Sequence, residues 1–142
     1  MNFTVEPHVG ALPIRFGMTP SEVAAVAGPA TSILPGAMGG TAESRPNIMI
    51  GYTEGNTVYE INCHVGTSLI YQGVDLLSIE NPIQFLRQYD PNPILWVGFV
   101  VFLELGIQLY GFHDSDESQK AISLILKDSI SEYVDDFVPF DS

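Results

Sequence analysis

A chain of 142 residues with 46% hydrophobic and 11% aromatic residues buries a core of its own, which excludes a disordered chain and predicts a single domain over residues 1–142. Seventeen acidic against five basic residues give a formal net charge of -12, so the surface repels nucleic acid and anionic lipid and attracts a basic protein. The single cysteine, Cys63, excludes an internal disulfide and a cysteine-based zinc site; with no basic or apolar leader in MNFTVEPHVG, the expected location is cytoplasmic.

The first well-punctuated element is FGMTPSEVAAVAGPA, residues 16–30. Thr19 is an N-cap, Pro20 sits at N1 and Glu22 at N3, which makes a capping box. Met18 and Val23 are placed to form a hydrophobic staple, and Gly28-Pro29 stops the helix, so the spacing predicts a helix over 20–27. A long Pro/Gly-rich loop is expected over 29–46, PATSILPGAMGGTAESRP, of the length that marks a mobile or functional segment. Ile48, Ile50 and Tyr52 then alternate, TEGN turns, and Tyr59, Ile61, Cys63 and Val65 alternate again, which predicts a β-hairpin. SLIYQ reads as a third short strand.

ENPIQFLRQYDP repeats the logic of the first helix, with Asn81 as cap, Pro82 at N1, Gln84 at N3 and Asp90-Pro91 as the stop. Strands are expected over 94–103, 107–112 and 121–127. The run ILWVGFVVFLELGIQLYGF, residues 94–112, approaches the length of a membrane helix, but Glu104 would cost roughly 2.5–3.5 kcal/mol or more near its centre. No Lys or Arg flanks it, and its β-branched, aromatic and glycine residues around ELG suit two strands and a turn. A last helix starts at Ser129, with Glu132 completing a capping box. It aligns Ile130, Tyr133, Val134 and Phe137 on one face and turns Asp135 and Asp136 away from it.

The expected fold is therefore α+β, a mainly antiparallel sheet with three short helices. The order helix plus three strands occurs twice, a pattern that a duplication or the chance recurrence of Pro-bracketed helices produces.

Cys63 and His64 invite a thiol–imidazole reading, but neighbours on a strand point to opposite faces, so Cys63 is expected in the core. His113, Asp114, Asp116 and Glu117 could hold a cation weakly. The EF-hand spacing is absent, and a solvated acidic turn explains them as well. His8, His64 and His113 fall on separate elements without metal-ligand spacing. PGAMGG lacks the lysine and the strand–helix context of a phosphate loop, and none of the common catalytic signatures occurs. No catalytic residue, cofactor or metal is expected.

The helix of residues 16–30 is similar to the GMTxxEV helix start of β-lactamase-inhibitor-like proteins and outer-membrane assembly lipoproteins. Gly17-Met18-Thr19, Glu22-Val23 and Gly28-Pro29 carry the likeness. Together with an LGIxLY strand at Leu105-Gly106-Ile107-Gln108-Leu109-Tyr110, the layout resembles small bacterial proteins of toxin-immunity type. The resemblance implies an α+β binding module and transfers no catalytic residue. The order of elements and the acidity also resemble type III secretion chaperones, which implies a dimer; a site of scattered carboxylates and histidines is the enzymatic alternative. From residue 104 to Ser142 there are nine acidic residues and two lysines. Asp114, Asp116, Glu117, Asp135 and Asp136 are therefore the candidate contacts for a basic protein partner.

Overall fold

The structure, a computed structural model, describes residues 2–36, 39–96, 99–111, 120–126 and 138–139. At the N-terminus Phe3 and Val5 point inward between outward Asn2, Thr4 and Glu6, the period-two pattern of strand β1 (Asn2–Glu6). Strand β2 (Gly10–Leu12) and, after a cis Leu12–Pro13 bond, β3 (Ile14–Arg15) follow. Gly10 sits at φ +151, where a Cβ would run into the backbone of Ile14 and Arg15, so only glycine lets β3 fold back this closely. These strands join β8 (Ser68–Tyr71) and β9 (Val74–Asp75) in a five-stranded sheet of order β3-β2-β1-β8-β9, with β1 and β8 parallel.

Helix α1 (Pro20–Ala27) has the ends its sequence predicts. The Thr19 hydroxyl accepts from the Glu22 N–H at 3.3 Å, and the Glu22 carboxylate accepts from the Thr19 N–H at 3.0 Å. Two of the helix's otherwise unpaired donors are thereby satisfied. Gly28, at φ 80, closes it by donating to the Ala24 carbonyl. Val23 is fully buried and Met18 packs against the same core. Helix α2 (Pro82–Leu86) is capped by Asn81, whose side chain accepts from the Gln84 N–H at 3.0 Å. It ends before Asp90 because the next turns tighten, with Gln88 and Tyr89 donating to Phe85 and Leu86.

A nine-stranded antiparallel sheet dominates the molecule. It comprises β4 (Ser32–Pro35), β5 (Thr41–Arg45), β6 (Ile48–Tyr52), β7 (Val58–His64), β10 (Ile94–Trp96), β11 (Phe99–Phe102), β12 (Ile107–Tyr110), β13 (Ala121–Ile125) and β14 (Val138–Pro139). The order is β14-β10-β11-β12-β13-β7-β6-β5-β4. Each helix is followed by a four-strand meander, β4–β7 or β10–β13, and the two meanders meet through their last strands. Ser123 lies opposite Asn62 at the middle of that seam.

One hydrophobic cluster fills the space between the sheets and helices. Phe3, Val5, Ala11, Ile14, Leu69 and Tyr71 come from the small sheet; Ile50, Ile61, Cys63, Ile107, Leu109 and Ile122 come from the large one. A polar clamp joins the two sheets at their rim. His8, at φ 64, places Nε2 2.7 Å from the Glu104 carbonyl, while Asp90 Oδ2 accepts from the Glu104 N–H at 2.9 Å. A carbonyl only accepts, so His8 Nε2 is the donor there.

The structure corrects several expectations. Residues 29–46 are not a plain loop, because they contain β4 and β5. Pro35 is compatible with an edge strand, and β5 hides its period by turning Glu43 and Arg45 inward. The repeated unit is a helix plus four strands, not three. The 94–112 run forms three strands, with β10 and β11 pairing as a hairpin where one strand was expected. Strand β7 ends at His64, leaving Val65 44% exposed beside the turn at Gly66. The helix expected from Ser129, with Glu132, Ile130, Tyr133, Val134 and Phe137, lies outside the described residues. Strands β1–β3 add a second sheet for which the sequence carries no turn or length signal of the kind that marks the later strands. Among the described residues no helix is long and apolar enough to cross a membrane.

Thr19→Ala is expected to lower unfolding free energy by about 1 kcal/mol, with Thr19→Ser near the parent. Urea denaturation followed by circular dichroism checks both, and an unchanged midpoint for Thr19→Ala would show that the cap is not stabilising.

Candidate functional site

Opposite residues of an antiparallel sheet share a face, so the register sorts the large sheet into two surfaces. On the face away from the core, Val101, Gln108, Ser123, Asn62, Met49 and Ser44 form one row across β11, β12, β13, β7, β6 and β5. The centre of the row is polar, and Gln108 and Ser123 are nevertheless buried. The Oδ1 atom of Asn62 is buried with no hydrogen-bond partner among the described residues. Glu60 sits next to it on β7, half-buried. Burial raises its pKa, and a hydrogen bond with Ser123 offsets only part of that rise.

A second polar group lies on the core face near the β4 side. Glu43 and Arg45 are alternate residues of β5 and both point inward, with side chains only 9% and 4% exposed. Glu43 Oε1 accepts from Arg45 Nη1 at 3.0 Å and from the Tyr52 hydroxyl at 2.6 Å. Arg45 Nε donates to the Gly28 carbonyl at 3.0 Å, tying the end of α1 to β5. Burial, then the bond to the Glu43 carboxylate, raises the Tyr52 pKa and keeps the phenol protonated as a donor. A cavity of about 240 Å³ opens beside Arg45, lined also by Asn47, Thr67, Phe3 and Ala27. The Arg45 guanidinium at its wall is already bonded to Glu43 and Gly28, and the Thr67 hydroxyl donates to the Asn47 carbonyl at 3.3 Å. Alternating acid and base in TAESR was the sequence signal for this cluster, and it was masked by the proline and glycine around it.

Cys63 is fully buried, and burial pushes its thiol up to about 12, so it behaves as a core residue, as expected. His64 projects from the other face of β7 and pairs across the seam with Ala121. Among the described residues no group of three His, Cys, Asp or Glu side chains is placed to hold a metal ion. Asp114, Asp116, Glu117, Asp135 and Asp136, with His113, lie outside the described residues, so the structure neither gathers nor separates them.

Elsewhere the acids divide by role. Asp90 is buried and holds backbone, as described above. Asp75 accepts from the Leu69 and Leu77 N–H groups at 3.1 Å each and from the Ser78 hydroxyl at 2.8 Å. Burial alone would raise its pKa, but these bonds outweigh it and hold the carboxyl below its usual range. Glu6, Glu22, Glu54, Glu80 and Glu104 are exposed, whereas Arg15 is the exposed base among the described residues. No family model, curated protein or solved structure matches the chain.

Two outcomes follow from the buried groups. The folded-state pKa of Glu60 is raised, so folding is opposed by its ionisation. That cost is present above the folded pKa and is relieved as pH falls through it. Glu60→Gln should therefore stabilise the protein at neutral pH and flatten this part of the stability–pH curve, measured by denaturation across the acidic to neutral range. Arg45→Met leaves the Glu43 carboxylate buried without its cation and should cost about 3–5 kcal/mol. The double variant Glu43→Gln/Arg45→Met should recover much of that loss in the same assay.

Proposed function

We propose that the chain is a non-enzymatic binding protein that holds a basic protein partner, as an immunity or antitoxin-like inhibitor masks a cationic surface. The observation that carries this reading is the imbalance of surface charge. Five of the nine described acids are exposed, Arg45 is consumed in a buried ion pair, and the overall charge is -12. A field of this sign speeds encounter with a basic surface and rejects anionic partners. The acidic residues of the C-terminal part, Asp114, Asp116, Glu117, Asp135 and Asp136, are the assigned contacts. A cytoplasmic setting belongs to the same reading. So does an origin of the two helix-plus-meander halves by duplication, supported by the palindromic strand order.

Exposed charges act over about 8 Å at physiological salt, so complex formation should be salt-sensitive. The test captures partners from the native cell with the full chain at low and high salt. It is repeated with Asp114→Asn/Asp116→Asn/Glu117→Gln and with Asp135→Asn/Asp136→Asn. The expected result is a basic protein whose association slows about tenfold in at least one variant. A partner held equally by both variants and at all salt concentrations would overturn the reading.

A further inference from the structure

One edge of the large sheet departs from the rest of this anionic molecule. Among the described residues strand β4 pairs only with β5, and all four of its residues are exposed. Ile33 and Leu34 are 63% and 52% exposed, the most open large hydrophobic side chains among the described residues. No ionisable side chain occurs anywhere between Glu22 and Glu43. Edge strands are ordinarily guarded by charge, by proline or by a covering segment. Among the described residues Pro35, at the end of the strand, is the one such device.

The register gives the edge a direction. Residues 32–35 pair with 44–41, and the Gly36 N–H continues that ladder to the Gly40 carbonyl. By the alternation of antiparallel bonding, Leu34 and Ser32 face β5, while the N–H and C=O of Ile33 point to the open side. Ile33 and Leu34 stand on opposite faces, so an added strand would meet an aliphatic side chain on each. At the Pro35 end, exposed Glu54 reaches over Gly39, with Oε2 3.6 Å from where a Cβ would stand.

We infer that β4 is a docking edge that receives an extended, uncharged segment of the basic partner as a tenth strand. The inference rests on the binding-protein reading above. Main-chain bonds at Ile33 supply part of the affinity, Ile33 and Leu34 supply apolar contact, and a Lys or Arg flanking the segment meets Glu54. A second copy of this chain is disfavoured as the occupant, because it would bring a further charge of -12 to the same place.

The probe is a synthetic decapeptide of alternating valine and threonine with two lysines at each end. It is compared with the same peptide N-methylated at alternate amides and with a version carrying glutamates in place of lysines. Binding to the full chain is followed by backbone amide NMR and hydrogen exchange. The expected result is perturbation centred on residues 31–36, with new protection of the Ile33 amide. N-methylation and the protein variant Ile33→Pro should each weaken Kd by at least about tenfold. Ile33→Pro leaves the ladder to β5 in place, and a parent-like melting curve checks this; Leu34→Glu is the second variant and should weaken binding without touching the backbone.

Binding of the lysine peptide that is salt-sensitive but leaves residues 31–36 unperturbed would overturn the docking edge while sparing the acidic-surface reading. Equal binding of the lysine and glutamate peptides at β4 would overturn the basic-partner reading and leave only a strand-accepting edge. A dimer seen by sedimentation in the parent and lost in Ile33→Pro would replace the partner by a second copy. Absence of binding by every peptide at millimolar concentration would overturn the inference.

Discussion

Everything else in the molecule depends on the seam between β7 and β13. Five residue pairs, from Ala121↔His64 to Ile125↔Glu60, join the last strands of two meanders that are otherwise local in sequence. On the core side the seam brings Ile61 and Cys63 against Leu124 and Ile122, each buried. Each meander alone is a four-strand ribbon with two exposed edges. Joining them removes one edge from each and makes one wide apolar face for the small sheet and the helices to cover. The seam also carries the entropic burden, because it closes a long loop before any of its contacts form. Slow assembly of this pairing relative to the meanders is the physical consequence.

The lid on that face is held by backbone as much as by apolar contact. The parallel β1–β8 pairing brings the N-terminus to the strand just beyond the first meander, and Phe3 lies opposite Leu69 in the core. The Glu104 peptide is gripped from both ends, its N–H by Asp90 and its C=O by His8. Its carboxylate is left outside, so a residue that looks like a misplaced charge inside a hydrophobic run is an exposed turn residue whose main chain does the structural work. Asp75 and Glu43 are the reverse case, with their carboxylates themselves bound into the frame.

Elements were legible in the sequence where local signals agreed with tertiary demand. The capping box at Thr19 and Glu22 predicts the limits of α1, because the terminal donors must be satisfied wherever the helix packs. The placement of Cys63 and His64 on opposite faces follows from strand geometry alone. Strand β5 was illegible for the opposite reason: its inward residues, Glu43 and Arg45, are charged, and only the neighbouring Tyr52 hydroxyl and Gly28 carbonyl make their burial tolerable. Strand β4 was hidden by Pro35 and Gly36, since an edge strand tolerates residues that a central strand does not. The split of 94–103 into β10 and β11 was hidden by the evenness of its hydrophobicity, for a continuous apolar run carries no period. The candidate acidic residues of the C-terminal part lie outside the described residues, and in the sequence they are visible only as charge, which names a surface without naming its shape.

Closing the seam leaves the large sheet with two ends, β14 and β4, and they are unlike. Strand β14 is two residues long and includes Pro139, so it offers an incoming strand little continuous ladder. Strand β4 is twice as long, exposed on both faces and free of charge in a chain where acids outnumber bases by more than three to one. An unguarded aliphatic edge invites uncontrolled pairing, and the surrounding negative field restricts which chains approach it. In the proposed reading, long-range repulsion discriminates among partners at a distance, and strand pairing discriminates among segments at contact. Neither term alone would separate one basic protein from the many others in a cell, whereas their product requires positive charge and an available extended segment in the same molecule.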